Sequence, residues 1–567
     1  MVNRYPVDSA HVLEEYPRPQ MVRDTYVCLN GIWELQISAS PQMPDFYPYS
    51  ILVPFAVESS LGGCEKRVNP EDTLTYRRTF PYPALGADRR LLLHFEAVDH
   101  QCIVWCNAKE VGRHRGGYLP FSFDITDVLE LENELIVQVT DPNDTLPIIR
   151  GKQSLHAKGI FYTAQSGIWQ TVWLEEVPSS YIRTIVIRPN AQQRCWHIEL
   201  ECEGDVDEVV IDYLEGQKQV RGKSNQRICC QVEEPHLWTP EDPYLYPFTV
   251  HYKSDEISSY VGLRSFGVQD GYLTLNGKRY YHHGILDQGY WPFSLMTAPS
   301  DQAIIDDLLL VKKLGFNMIR KHVKVESRRW YHHCDRLGLL VWQDMVSGGR
   351  KPIQPFMSGP LLVPFFSVTD SLRACLGSQD AFYRSDFETE LAAMISHLFN
   401  VPSLAMWVIF NEGWGQFDTQ RMLDRVRSLD QSRTIDATSG WYDRRNGDVL
   451  SQHVYFKEYS FKEDANGRAV VLSEFGGYVY RELGHDEQSR IFGYRTFADR
   501  HQFNEAFFSL YQSQVYPAKK AGLSASVYTQ LSDVEQELNG LVTYDRLSVK
   551  LDEAVGLQVA LLLLGTE

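Results

Sequence analysis

The sequence has little cysteine, no long hydrophobic run and no excess of positive charge. Ten cysteines among 567 residues are ordinary for a reducing compartment. The adjacent Cys229 and Cys230 of RICCQV project to opposite faces of a strand, so no disulfide framework is expected. No stretch approaches the ~18 uninterrupted apolar residues of a membrane-spanning helix, and the opening MVNRYPVDSAHVLEEYPRPQ has no apolar core behind basic residues. A soluble, unsecreted, cytoplasmic protein is the expectation. Lys+Arg 55 against Asp+Glu 73 leaves a formal net charge of −18, which repels nucleic-acid phosphates and anionic lipid headgroups. GxSxG, GxxxxGK[ST] and HExxH are missing too, which removes the usual markers of serine-hydrolase, nucleotide and zinc-protease chemistry. His332, His333 and Cys334 are consecutive within an expected helix, residues 327–337, where neighbours in sequence do not converge on one point. Neither a metal nor an organic cofactor is expected.

What is abundant is aromatic: 12 Trp, 31 Tyr and 27 Phe make 12 % of the chain, suited to large β cores and to sites that stack flat apolar ligand faces. At roughly 150 residues per domain the length implies about three or four domains. From Tyr26 to about Val177 short strand-like runs such as GIWELQIS, TLTYRRTF, RRLLLHFEAV, NELIVQVTD and WQTVWLEE alternate with turns, which reads as a β-sandwich. A second strand-rich block follows, with Trp196, Ile198, Leu200 and Cys202 alternating against His197, Glu199 and Glu201, and closes at EEPHLWTPEDPYLY. It fits a smaller immunoglobulin-like sandwich. The expected division is residues 1–178, 179–264 and 265–567.

After about Gly262 strands and helices alternate, the pattern of a parallel α/β sheet. Eight candidate strands span Tyr280 to Ile285, Phe316 to His322, Leu339 to Met345, Leu404 to Glu412, Thr434 to Gly440, Leu450 to Tyr455, Val470 to Gly477 and Ser524 to Gln530. Helices fit between them, one over Asp301 to Leu314 and another beginning at Ser385 with Glu388 completing a capping box. Eight strands with intervening helices in about 300 residues make a (β/α)8 barrel, whose chemistry sits at the carboxyl ends of the strands. Those ends are polar: His282, His283 and Asp287, Arg320 and His322, Gln343 and Asp344, Asn411 and Glu412, His453 and Tyr455, Glu474, and Tyr528 and Gln530. His322 and His453 are the better pocket candidates among the histidines.

Glu412 and Glu474 each follow an apolar run and would emerge at the rim of strands 4 and 7, on opposite sides of an opening one sugar ring can fill. A retaining glycosidase needs two such carboxyl groups, one ionised to attack the anomeric carbon and one protonated to donate to the leaving oxygen, about 5 to 5.5 Å apart. Tyr455 is placed to hold the nucleophile ionised by a hydrogen bond, Asn411 offers donor and acceptor to a sugar hydroxyl, and Trp414 and Trp441 offer apolar faces to a ring. A single strand-end Glu would more often be a solvated or Arg-paired rim carboxylate; the pair with its aromatic and amide company changes that balance.

Carrying the stretches GIWEL, VGRHRGGYLPFSFDIT, QSGIWQTVWLE, LWTPEDPYLY, LTLNGKRYYHHG, KLGFNMIRKH, DRLGLLVWQDM, WVIFNEGWGQFD and LSEFGGY, nearly the whole chain resembles glycoside hydrolase family 2, the family of β-galactosidases, β-glucuronidases and β-mannosidases. The resemblance implies a jelly-roll sugar-binding-like domain, an immunoglobulin-like domain and a catalytic TIM barrel. It implies Glu412 as acid/base, Asn411 as partner of the substrate 2-hydroxyl and Glu474 as nucleophile. The Asn-x-Lys element with which glucuronidases of the family grip a uronate is missing between Glu474 and Glu567, which disfavours a uronic acid. WQDMVSGGRKP lacks the Glu and His that accompany a structural Mg²⁺ in large β-galactosidases, and LDQGYWP replaces the family's Asn-Arg-His run, making Asp287 and Trp291 candidate sugar contacts. The expected function is a retaining exo-β-glycosidase releasing a terminal neutral sugar, β-D-galactose being the favoured case. The alternatives are an α-L-arabinosidase of the same family and a non-catalytic carbohydrate-binding protein. The expected partners are a small carbohydrate or glycoconjugate and, optionally, further copies of this chain. The long connection from Ser347 to Tyr383 is expected to shape the aglycone side.

Overall fold

The computed structural model describes residues 1–353, 356, 368–486 and 490–565. The first domain packs a six-stranded antiparallel sheet, in which Glu132–Thr140 lies between Thr73–Pro81 and Gln101–Cys106, against a four-stranded sheet centred on Val172–Pro178 and Arg89–Phe95. Period-two alternation sends Trp33, Leu35, Tyr76, Leu91, Leu93, Leu135 and Val137 into the core between the sheets, the jelly-roll sandwich expected. The second domain is a smaller sandwich of three-stranded and four-stranded sheets around Trp196, Ile198, Ile211, Phe248 and Val250.

The barrel strands are 1 (His282–Asp287), 2 (Met318–Lys321), 3 (Leu340–Asp344), 4 (Leu404–Asn411), 5 (Thr434–Ser439), 6 (Val449–Val454), 7 (Ala469–Gly476) and 8 (Ala525–Thr529). Parallel ladders join them in the order 5-4-3-2-1-8-7-6, and strands 5 and 6 lie side by side, so the ring is nearly closed. All eight expected strands are present, shifted by at most two residues at either end. One helix differs: it spans Ala381–Leu398, not a start at Ser385, because the Asp380 carboxylate caps the N–H groups of Phe382 and Tyr383.

Inside the ring strands 2, 3 and 7 run from apolar to polar toward their carboxyl ends. Met318, Trp342 and Val471 belong to the inner apolar cluster, which Leu273 and Trp238 extend below, and two residues further along the same strands stand Arg320, Asp344 and Ser473. The period of two therefore delivers three polar side chains to one level at the barrel mouth.

The first domain also reaches that mouth. Its segment 152–163 interlocks with the connection that follows strand 8: Gly159 N–H donates to Gln536 Oε1 at 3.1 Å, Thr163 N–H to Glu535 Oε1 at 2.8 Å, and the Tyr162 hydroxyl to Glu537 Oε2 at 2.5 Å. Of the long connection between strands 3 and 4, residues 354, 355 and 357–367 lie outside the described residues, and with them the centre of the expected aglycone loop. Its described end brings Val368 and Leu376 against Trp441 and Tyr442.

Candidate active site

Glu412 leaves strand 4 with φ at +52°, in the left-handed region, and Gly413 follows at +75°, where a Cβ would meet the Tyr442 ring at 2.3 Å. The turn lifts the Glu412 carboxyl over the opening. Glu474 lies within strand 7, facing it. A carboxylate oxygen of each, with a ring nitrogen of His453, falls within a span of 4.8 Å. The separation approaches that of retaining glycosidases and is well short of the 6.5–9.5 Å of inverting ones.

His453 stands between the two acids. Its Nδ1 is 2.8 Å from Glu412 Oε1, and its Nε2 lies 3.1 Å from Ser439 Oγ and 3.5 Å from Glu474 Oε1. Gly440, at φ +85°, permits this placement, since a Cβ there would meet the imidazole at 2.6 Å. Arg320 is fully buried beneath. Its guanidinium donates from Nε and Nη2 to both oxygens of Asp344 at 3.0 Å, from Nη2 to Asn411 Oδ1 at 2.9 Å, and from Nη1 to Glu474 Oε1 at 3.1 Å. His322 adds a contact from Nδ1 to Asp344 Oδ2 at 2.7 Å. The Tyr455 hydroxyl donates to Glu474 Oε2 at 2.5 Å, and its ring stacks on Tyr494 with centroids 3.8 Å apart.

These surroundings split the two acids. Burial pushes the Glu412 carboxyl above the ordinary range, the facing Glu474 charge adds to it, and the His453 hydrogen bond only partly opposes them. Burial acts on Glu474 in the same direction, but His453, the Arg320 guanidinium, His322 and the Tyr455 hydrogen bond outweigh it and hold Glu474 at about 2. Of these, the Arg320 charge persists at every working pH, whereas burial and the Lys152 charge push His322 down to about 4. One acid is thus poised to carry a proton and the other to stay ionised, the division that double displacement requires. Two carboxylates and an imidazole also form a donor set for a divalent cation, but Arg320 already supplies a fixed positive charge on Glu474 at hydrogen-bond distance.

The structure brings together Glu412, Glu474, Asn411, His453, Tyr455, His322 and Asp344. Trp441 lies edge-on to His453 with centroids 6.3 Å apart, and Trp414 is stacked on Phe161 of the first domain at 5.0 Å with the rings 7° from parallel, so one face of Trp414 is covered. Three residues are placed otherwise than expected. The Asp287 carboxylate takes the Lys321 ammonium at 2.5 Å and the Gly289 N–H at 2.9 Å; its charge is spent inside the wall. Trp291 lies under the Arg546 guanidinium at 4.2 Å and edge-on to Tyr5, packing that belongs to the outer shell. Gln530 donates to Asn539 Oδ1 at 2.7 Å and braces the loop after strand 8. His282 and His283 are both core: the first accepts from Trp342 Nε1 at 2.9 Å and the second stacks on Phe316.

Sequence reasoning passed over Arg320 as a site residue, although its inward register two positions after Met318 marked it. It passed over Lys152 altogether. This lysine of the first domain is buried, its ammonium is 5.6 Å from the Tyr162 ring, and its charge acts on both Glu412 and His322. Nothing in a single sequence joins residue 152 to a barrel mouth some 260 positions on.

Two β-sandwiches leading into a parallel barrel with paired glutamates at its mouth define the architecture of a multidomain carbohydrate-active protein. The chain belongs to glycosyl hydrolases family 2: residues 29–178 match its sugar binding domain, 180–264 its central domain and 266–481 its TIM barrel domain. It is 24 % identical over 492 residues to a β-galactosidase of Alteromonas mediterranea, covering 77 % of this chain and 42 % of the relative. It is 24 % identical over 524 residues to a β-glucuronidase of Paenibacillus borealis, covering 81 % and 84 %. The chain spans about half the length of the β-galactosidases it matches. The solved β-D-glucuronidase of Dictyoglomus thermophilum superposes with a TM-score of 0.72 at 18 % identity, over 96 % of this chain and 98 % of that one. No helix among the described residues is long and apolar enough to cross a membrane.

Proposed function

We propose that the chain is a retaining exo-β-glycosidase working by double displacement. The observation that carries this reading is the Glu412–Glu474 pair, close enough to share one sugar ring and driven to opposite protonation states. Glu474 attacks the anomeric carbon as Glu412 gives its proton to the glycosidic oxygen, which leaves with the aglycone. A glycosyl ester on Glu474 remains. Glu412, now ionised, takes a proton from water; the hydroxide so generated attacks the same carbon and frees Glu474. Asn411 is held by Arg320 through Oδ1, and among the described residues its amide N–H has no acceptor, which leaves it for the 2-hydroxyl.

The missing Asn-x-Lys element disfavours a uronic acid and so supports a terminal neutral sugar, for which β-D-galactose is the favoured case. One observation favours a second sugar class: among the described residues the Lys152 ammonium makes no ion pair, and its charge acts on the acid/base. A carboxylate carried by the substrate would complete it. The arabinosidase alternative finds no support in the comparisons, and family membership with both glutamates facing each other weighs against a purely binding protein. A panel of nitrophenyl β-galactoside, β-glucuronide, β-galacturonide and α-L-arabinoside, assayed with wild type, Glu412→Gln, Glu474→Gln and Lys152→Ala, decides among them. Loss of one substrate class in Lys152→Ala alone would mark the acidic sugar. No turnover of any glycoside by wild type would leave only binding. A 2-fluoro glycosyl trap followed by peptide mapping must label Glu474; a label elsewhere overturns the assignment.

A further inference from the structure

The second domain carries a cluster unrelated to the barrel chemistry. Strands Cys195–Glu203 and Ile228–Gln231 pair antiparallel, with Trp196 opposite Cys230 and His197 opposite Cys229. Trp196, Ile198, Ile228 and Cys230 fill the sandwich core, so by the period of two Cys195, His197 and Cys229 share the outer face. A ligand atom from each of the three lies within 4.8 Å of the other two. Cys195 is buried, His197 half-buried and Cys229 exposed, so the cluster has a sheltered floor and one side open to solvent.

We infer that Cys195, His197 and Cys229 form a binding site for a thiophilic cation, Zn²⁺ in the first place, with water or an external ligand in the fourth position. Two thiolates and one imidazole are the donors such an ion prefers, at bond lengths of about 2.0–2.3 Å that small rotamer changes reach from the present spacing. Binding displaces the thiol protons, Zn²⁺ plus two S–H giving a neutral dithiolate complex and two protons. The neighbouring charges on this face are already paired with one another: Glu199 accepts from Arg188 at 2.9 Å and from Arg227 at 2.7 Å, while among the described residues the His197 ring has no hydrogen bond or ion pair. A disulfide is the poorer alternative. Cys195 and Cys229 are both free thiols, and Cys195 stands opposite Gln231 and Cys229 opposite His197, a diagonal and not a directly facing pair.

The site lies away from the glutamate pair. The adjoining strand Tyr181–Asn190 is tied to Asn400, whose amide donates to Ile185 O at 2.8 Å and whose Oδ1 accepts from Ile187 N–H at 2.8 Å, and Asn400 precedes strand 4 at the end of the barrel opposite Glu412. Metal here would therefore clamp two strands of the sheet that docks under the barrel and would not enter the reaction.

The test uses the full chain, chelator-treated and kept reduced, titrated with Co²⁺. A thiolate-to-cobalt charge-transfer absorption saturating at one equivalent and abolished by Zn²⁺ is expected. It is lost in Cys229→Ser, with Zn²⁺ affinity falling roughly 100-fold or more and glycoside turnover unchanged. The glutamate cluster at the barrel mouth contains no sulfur and cannot give this band. Because Cys195→Ser could disturb folding, a second measurement uses wild type: Zn²⁺ should slow alkylation of Cys195 and Cys229 together while leaving Cys28, Cys64 and Cys375 at their former rates. Absence of the band in wild type, its persistence in Cys229→Ser, or alkylation indifferent to Zn²⁺ would each overturn the site.

Discussion

Replacing Arg320 by Gln tests how the two glutamates are kept apart in protonation. The guanidinium contributes a full charge 3.1 Å from Glu474 Oε1, deep in the barrel. At about 4 Å between charge centres and an effective dielectric constant near 20, that charge is worth about 4 kcal/mol to the ionised carboxylate, or roughly 3 pKa units at 1.36 kcal/mol per unit. His453 and Tyr455 remain in place and water enters the space vacated, so a rise of about 1–2 units is expected from the wild-type position. Glu474 works ionised and its carboxyl is held at about 2, so wild-type kcat/KM on an aryl β-glycoside should stay level on acidification until the protein itself unfolds. In Arg320→Gln an acidic limb should appear at about pH 3–4. The same substitution strips Asp344 of its bidentate partner and should lower stability by about 3–5 kcal/mol, so rates must be compared where urea denaturation shows both proteins folded. Arg320→Lys keeps the charge but not the fork, and should leave the limb near its wild-type place while still costing stability. If folded Arg320→Gln shows no acidic limb absent from wild type, the charge does not hold Glu474 ionised and the account of the pair fails.

Glu474→Gln should lower kcat by roughly 10⁴-fold or more, whereas Glu412→Gln should lose about 10²–10⁴-fold on poor leaving groups and far less on a nitrophenolate, read by steady-state rates across leaving groups of graded pKa. Tyr455→Phe removes a hydrogen bond to a charged acceptor worth about 1.5–3 kcal/mol, so kcat/KM should drop about 10–100-fold with thermal stability little changed. In the first domain, buried Glu175 accepts from Tyr16 at 2.7 Å and Arg18 at 2.5 Å and lies 3.1 Å from Arg23, which holds its carboxyl well below the usual range. Glu175→Gln should cost about 3–5 kcal/mol near neutral pH, and since a depressed carboxyl stabilises only above its unfolded-state pKa, the gap from wild type in urea unfolding should close as the medium is acidified.

The barrel was legible where a strand is a nearly continuous apolar run followed by polar residues, and both catalytic candidates follow such runs; AMWVIF before Asn411 and Glu412 is the plainest case. Residues beyond the strand ends were not legible, because their destinations depend on partners far away in sequence. Asp287 looked like a pocket carboxylate only until Lys321, one position past Arg320 and facing the other way, claimed it. Trp291 looked like a sugar platform, but Arg546 covers it. The helix start at Ser385 gave way to Asp380 because both offer a cap, and the earlier one lets the apolar face gain Tyr383.

The interlock between segment 152–163 and residues 535–537 joins residues that leave a ribosome 372–377 positions apart. Domains emerging in order can each bury a core, yet Lys152 and Phe161 find their places over the mouth only after strand 8 and its trailing loop have left the exit tunnel. An excised barrel, parted from segment 152–163, would be left with a mouth open on one side.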